Sequence, residues 1–149
     1  MSGIAFDIEN ELSTSQAFTG AATVSTNSFQ KQSAAQDIGI GRRMALLVYF
    51  HAAGAGTTHT LEAIEATNAA LSAGVGVLGS VSVTSVAALA GNNFVELPIP
   101  ANVMSKEYLG FRHSAAGGTT TATLSVWLVP QDEINQYKSF PKINNVSFA

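Results

Sequence analysis

The chain is predicted to fold as an all-β sandwich or barrel of short antiparallel strands. Three observations predict it: runs of alternating apolar and polar residues, turn-forming residues between those runs, and no convincing long helix. Its 149 residues fit one domain, with room for a core and a tail or two. No internal repeat is visible, so neither a propeller nor a β-helix is expected.

Met1 to Asn10 is short and acidic, lacks a clear period, and reads as an N-terminal arm. From Glu11 to Gln36 the residues are mainly Ser, Thr, Ala, Gln and Asn, broken by Leu12, Phe18, Val24 and Phe29; weak short strands are expected there. Asp37-Ile-Gly-Ile-Gly41 is rich in turn residues and leads into Arg42-Arg43. Met44 to Phe50 is apolar on both faces, with Met44, Leu46, Val48 and Phe50 on one side and Ala45, Leu47 and Tyr49 on the other. Such a strand usually lies centrally and is covered twice. The core is one cover, and a neighbouring subunit is a candidate for the other.

His51 to Thr58 reads as a loop. In the next stretch Leu61, Ile64 and Leu71 fall at near-helical spacing, but Asn68 sits where that stripe needs an apolar residue. A strand to about Thr67 followed by an irregular or briefly helical link is preferred, with a helix as the alternative over residues 61–71. Val77 to Val86 reads as a strand bent near Gly79. Gly91-Asn92-Asn93 is a turn signal, and Phe94 to Ile99 is a strand closed by Pro98 and Pro100. Tyr108 to His113 alternates again, with Leu109, Phe111 and His113 on one face. Thr119 to Val129 alternates most cleanly. Ala122, Leu124, Val126 and Leu128 lie on one face; Thr121, Thr123, Ser125, Trp127 and Val129 lie on the other. Residues 11–130 thus form the β domain, and 131–149, with Tyr137, Phe140 and Phe148, form a tail.

Composition narrows the partners. Charged residues are 11% of the chain, against roughly 25% in an ordinary domain. Small neutral groups replace them, and a surface of that kind is cheap to desolvate against other protein. Net charge is −3, with 7 basic and 10 acidic residues. Nucleic acid is not an expected partner, because only Arg42-Arg43 places two cations side by side. No cysteine is present, which removes disulfides and thiolate metal sites. The acidic start, with Asp7, Glu9 and Glu11, is wrong for a signal peptide, and no run of about 18 apolar residues exists. A cytoplasmic origin without membrane association is expected.

Catalytic chemistry is not expected. His51 and His59 flank one loop with Glu62 nearby, the residue types of a cupin metal site. Cupins place two His one residue apart on a strand, whereas seven residues intervene here. The histidines therefore read as surface or loop-edge groups. Glu62/Glu65 and Asp132/Glu133 read as solvated charge. No serine sits in a G-x-S-x-G elbow, and Gly39-x-Gly41 and Gly74-x-Gly76 lack the context of a nucleotide loop. No catalytic, cofactor or metal residue is assigned. Trp127 stands out, because it lies on the Thr/Ser face of its strand. Either that face packs on a partner, or the chain's own arm or a loop covers it.

Asp37-Ile-Gly-Ile-Gly41, the apolar strand Met44 to Phe50, the Thr-led strand Thr58 to Ala66, Tyr108-Leu-Gly-Phe-Arg112 and Ala122-Thr-Leu-Ser-Val-Trp-Leu-Val-Pro-Gln131 follow one another at a telling order and spacing. Together they resemble the capsid cement proteins of tailed phages typified by the Bordetella phage cement protein. The resemblance runs from about Ala5 to Gln131, and it lapses at Arg42-Arg43 and in the residues after Gln131. It implies a jelly roll of about eight antiparallel strands with N- and C-terminal arms. It also implies a homo-oligomer, dimer ahead of trimer, seated on the outer surface of the virion at joints between capsomers of the major capsid protein. No enzymatic activity or cofactor is implied. Arg42, Arg43, Trp127, Tyr137, Lys138, Phe140 and Lys142 are the candidate protein-interface residues. The alternative reading is a carbohydrate-binding jelly-roll module of a phage fibre or surface protein, with Tyr49, Tyr108 and Trp127 as stacking rings. A third, a cupin-like metalloenzyme, needs His51, His59 and Glu62 to converge on a metal.

Overall fold

The computed structural model describes residues 11–19, 22–31, 43–52, 58–83, 94–100, 104–116 and 121–133. The expected arm over 1–10 lies outside them. Nine strands follow in order: β1 (Glu11–Thr19), β2 (Ala22–Val24), β3 (Phe29–Gln30), β4 (Met44–Ala52), β5 (Thr58–Ala66), β6 (Gly76–Val83), β7 (Phe94–Ile99), β8 (Tyr108–Ala116) and β9 (Thr121–Pro130). A 3-10 turn, Gln131–Glu133, ends the described chain. Gln131 is tied back to the domain through its backbone N–H, which donates to the Arg43 carbonyl at 2.7 Å.

The strands form two antiparallel sheets. The first has the order β1-β9-β4-β7; the second has β2-β8-β5-β6, with β3 also on β8. β2 and β3 act as one strand interrupted at Ser25, whose hydroxyl and backbone N–H both bond to Phe111. Strand pairing then runs from the outside in: β1 with β9, β2 and β3 with β8, β4 with β7, β5 with β6. One long hairpin rolled up in this way is a jelly roll.

Alternation builds the core between the sheets. Leu46, Val48 and Phe50 of β4, Leu124 and Val126 of β9, Leu61 and Ala63 of β5, and Leu109 and Phe111 of β8 are buried there. β4 pairs with both β9 and β7 and so is central. Its second apolar face is also covered, for Ala45 and Leu47 have no exposed surface.

The ambiguous stretch 61–71 is a strand followed by a turn. Leu61 points into the core, while Ile64 and Ala66 lie in a separate cluster with Leu71. Leu71 adopts φ 57° and folds back over β8. Gly110 makes room for it, since a Cβ there would lie 2.2 Å from Leu71 Cδ1. Asn68 organises the turn: its Oδ1 accepts the backbone N–H groups of Ser72 at 3.0 Å and Ala73 at 3.1 Å. The helical spacing thus arose from residues serving two faces and a turn.

β6 bends where expected. Ala63 pairs with Gly79 but Ile64 with Val77, so Leu78 is an extra residue, a β-bulge. At this point β6 meets β7 across the open side of the sandwich, and a Cβ on Gly79 would lie 2.9 Å from the Pro98 carbonyl oxygen. Gly79→Ala is therefore expected to destabilise the domain by about 1–3 kcal/mol in urea unfolding, as overpacking does. An unchanged midpoint would show that the two sheets are not held together there.

Candidate interaction surface

β1, β9, β4 and β7 present a second cluster on the outer side of the first sheet. Ala45, Leu47, Phe94, Trp127 and Val129 are buried in it, with Tyr49 packed against them. Strand register explains the grouping. Leu47 lies opposite Trp127 on one side, and Tyr49 lies opposite Phe94 on the other. Trp127 is 8% exposed, and its indole N–H donates to Glu11 Oε2 at 3.0 Å. The tryptophan is therefore not a solvent-facing anchor. Of the two expectations for its face, cover within the chain is the one this structure meets. Glu11, which lies opposite Trp127 in the β1–β9 register, was not singled out in the sequence because strand pairing cannot be read from alternation.

The remaining candidates fall into two groups. Arg43 is exposed at the start of β4. Arg42, Tyr137, Lys138, Phe140 and Lys142 lie outside the described residues. The three rings of the carbohydrate reading do not share a platform. Tyr49 and Trp127 belong to the first sheet's outer cluster, whereas Tyr108 packs against Ile64, Ala66 and Leu71 on the second sheet.

Nor do His51, His59 and Glu62 converge. His51 is exposed on the first sheet, where its Nε2 lies 2.6 Å from Ser125 Oγ and 3.3 Å from Ser15 Oγ. Ser15 has φ 44° at a break in the β1–β9 register, and its backbone N–H donates to Ser125 Oγ at 2.8 Å. These bonds hold an irregular edge strand in place. Glu62 instead pairs with Arg112 at 2.7 Å. No group of three or more His, Asp or Glu that could hold a metal occurs among the described residues.

Two polar residues expected at the surface are buried. Glu65 is 7% exposed. Its carboxylate accepts the Ser105 backbone N–H at 2.8 Å, the Lys106 backbone N–H at 3.1 Å and the Ser105 hydroxyl at 3.1 Å. It closes the end of the sandwich in place of a solvated charge, because three donors from one loop replace its water. His59 shares the inner face of β5 with Leu61 and Ala63, not a loop edge, and is fully buried. Its Nδ1 lies 2.9 Å from Nε2 of the equally buried His113. Phe50 stands edge-on to His59, and Phe18 packs on His113. The far nitrogens, His59 Nε2 and His113 Nδ1, have no hydrogen-bond partner. One imidazole donates to the other only while at least one is neutral. Burial lowers the pKa of His59, and burial followed by the charge of His59 lowers that of His113 to about 4.

A family model, Bbp16, matches residues 12–127. The chain belongs to the Bbp16 family. No curated protein matches it. The Bbp16 span opens at Leu12 in β1 and closes at Trp127 in β9, so it covers the rolled sandwich from first strand to last. Arg42, Arg43 and Trp127 lie inside the Bbp16 region; Tyr137, Lys138, Phe140 and Lys142 lie beyond it.

In this Bbp16 protein the histidine pair makes folding sensitive to acid. The unfolded chain takes up protons near the ordinary value of 6.5, while folded His113 resists them until about 4. Stability therefore falls as pH drops through that window and is unaffected by the pair above it. Replacing both residues, His59→Leu with His113→Leu, is expected to shrink the loss of melting temperature between pH 7 and pH 4.5. Retention of the full pH slope in the double variant would assign the acid sensitivity to other groups.

Proposed function

We propose that the protein is a capsid cement protein, a structural component that binds the outside of a tailed-phage head and holds neighbouring capsomers together. The observation that carries this reading is membership of the Bbp16 family over residues 12–127. The family name points to a Bordetella phage protein, in line with the motif order described above. A rolled sandwich with a low-charge surface supports it physically, since neutral Ser, Thr and Ala groups lose little on desolvation.

In this reading the major capsid protein and a further copy of the chain are the partners. The domain carries no catalytic role, cofactor, nucleic acid or membrane contact. Packaged DNA presses outward on a shell. A clamp that binds only the assembled form stabilises it by mass action, and modest contacts repeated at every joint add through avidity. Arg43, exposed beside the turn that closes β9, and Tyr137, Lys138, Phe140 and Lys142 are the contacts this reading assigns to a neighbour.

The test is to mix purified protein with expanded capsids of its own phage that lack it. Saturable, regularly spaced decoration by electron microscopy and a raised capsid melting temperature are expected; absence of ordered binding would sink the reading. Since Gln131 is bonded to the domain, a truncation that spares the fold removes residues 134–149 only. That variant is expected to melt like the full chain but to occupy capsids less fully at equal concentration. Undiminished occupancy would remove the tail from the docking surface.

A further inference from the structure

The two ends of the sandwich are fastened by different chemistry. At one end β5 finishes and β8 begins, and the buried Glu65 carboxylate ties down the loop before β8 through three donors. Gln131 returns to Arg43 at the same end. At the other end β1, β4, β6 and β8 finish, and β2, β5, β7 and β9 begin. Here the inner face carries His59, the second residue of β5, and His113, three residues before the end of β8.

The surroundings of this pair are neutral. Phe50 of β4 and Phe18 of β1 pack on it from the opposite sheet. Val83 of β6 lies in register beside His59, and Leu61 of β5 and Thr23 of β2 lie beside His113. β2, β6 and β9 contain no titratable side chain. On the remaining strands His51 and Tyr49 lie on the outer side of the first sheet, and Glu62 and Arg112 pair with each other on the outer side of the second. Glu11, Glu65 and Tyr108 are at the far end of their strands. The connections that leave this end, residues 20–21, 53–57, 84–93 and 117–120, contain no Asp, Glu, Lys, Arg or His.

Two neutral rings own two ring protons. One is spent on the bond between His59 Nδ1 and His113 Nε2, and the other sits on one of the far nitrogens. A third proton charges the pair and puts an N–H on both far nitrogens. Neither has a partner to accept it, and both residues are 0% exposed. The closed sandwich therefore has no place for the charge. Water is close at hand, however. His59 leaves the interior once the first two rungs of β5 part from Ala116 and Ala115 of β8 and from Val83 of β6.

We infer that the His59–His113 pair is an acid-operated latch: protonation opens the strand ends around it while the Glu65 end stays closed. Such a partly open state lies beyond the fall in overall stability and does not depend on the cement reading. Opened rings take up protons near 6.5, whereas closed His113 resists until about 4, and burial lowers His59 as well. Within that window the opening equilibrium rises by up to about tenfold for each pH unit and each proton taken up. Above the window the latch is shut.

Native-state hydrogen exchange, read by NMR on the full chain at pH 7 and pH 4.5 across sub-denaturing urea, separates opening of one end from unfolding of the whole. The amides of His59, Thr60, Ser114 and Ala115 are expected to exchange through an opening that urea barely changes. That opening is expected to be at least about tenfold more populated at pH 4.5 than at pH 7. Glu65, Ala66, Tyr108 and Leu109 lie at the other end of the same β5–β8 pairing. They are expected to stay at least about tenfold more protected and to follow the urea dependence of global unfolding. In His59→Gln with His113→Gln, which keeps neutral hydrogen-bonding groups that do not titrate, the pH dependence of the opening is expected to vanish. A latch end that exchanges only by global unfolding, or that opens equally at both pH values, overturns the latch. So does an opening whose pH dependence persists in the double variant. If that variant does not fold, the two ends of the natural chain decide by the first two outcomes.

Discussion

The fold depends on the burial of β4 on both of its faces. A strand with one apolar face can lie at an edge, but Ala45 and Leu47 leave no polar side to turn outward. β4 therefore takes a central place, with β9 on one side and β7 on the other. Once it is central, Trp127 of β9 and Phe94 of β7 are drawn beside Leu47 and Tyr49, and the outer cluster follows. The position of the tryptophan is thus a consequence of β4, the strand paired directly beside it.

Polar groups inside the sandwich follow a second rule: each replaces lost water by local bonds, except where chemistry leaves one atom over. Glu65 gains three donors from the loop before β8. Gln16 stitches β1 to β2, donating to the Val24 carbonyl at 2.8 Å and accepting from the Thr26 backbone N–H at 2.9 Å. The histidine pair satisfies one nitrogen on each ring and leaves the other bare among phenylalanines. A bare nitrogen costs on the order of 1–3 kcal/mol, so the pair is a weak point that neutral imidazole chemistry tolerates and a charged ring does not.

Strand existence was legible from the sequence wherever two-residue alternation was strong, as in β4, β7 and β9. The bend at Gly79 was legible too, because glycine inside a strand marks a bulge or a close approach. Strand order was not, since alternation states which way a side chain points and nothing about which strand lies beside it. The same gap hid the candidate surface. Glu11 meets Trp127, and His59 meets His113, across 116 and 54 residues of sequence. Glu65 looked like solvated charge because its three donors come from a loop 40 residues away. The stripe Leu61, Ile64, Leu71 imitated a helix because one chain segment covers both faces of β5 and then turns back. The resemblance to phage cement proteins rested on motif order over a long span, which no single strand carries.

The pairing of Glu11 with Trp127 has a mechanical side. β1 is entered, and β9 is left, at the same end of one antiparallel pair. Tension applied between those two points peels the pair open like a zipper, breaking one rung at a time, and such loading meets little resistance. A load that arrives broadside through the faces of the sheets is shared by many rungs at once. The strong direction of the domain is therefore across the body of the sandwich, and the weak one lies along the pull that parts β1 from β9.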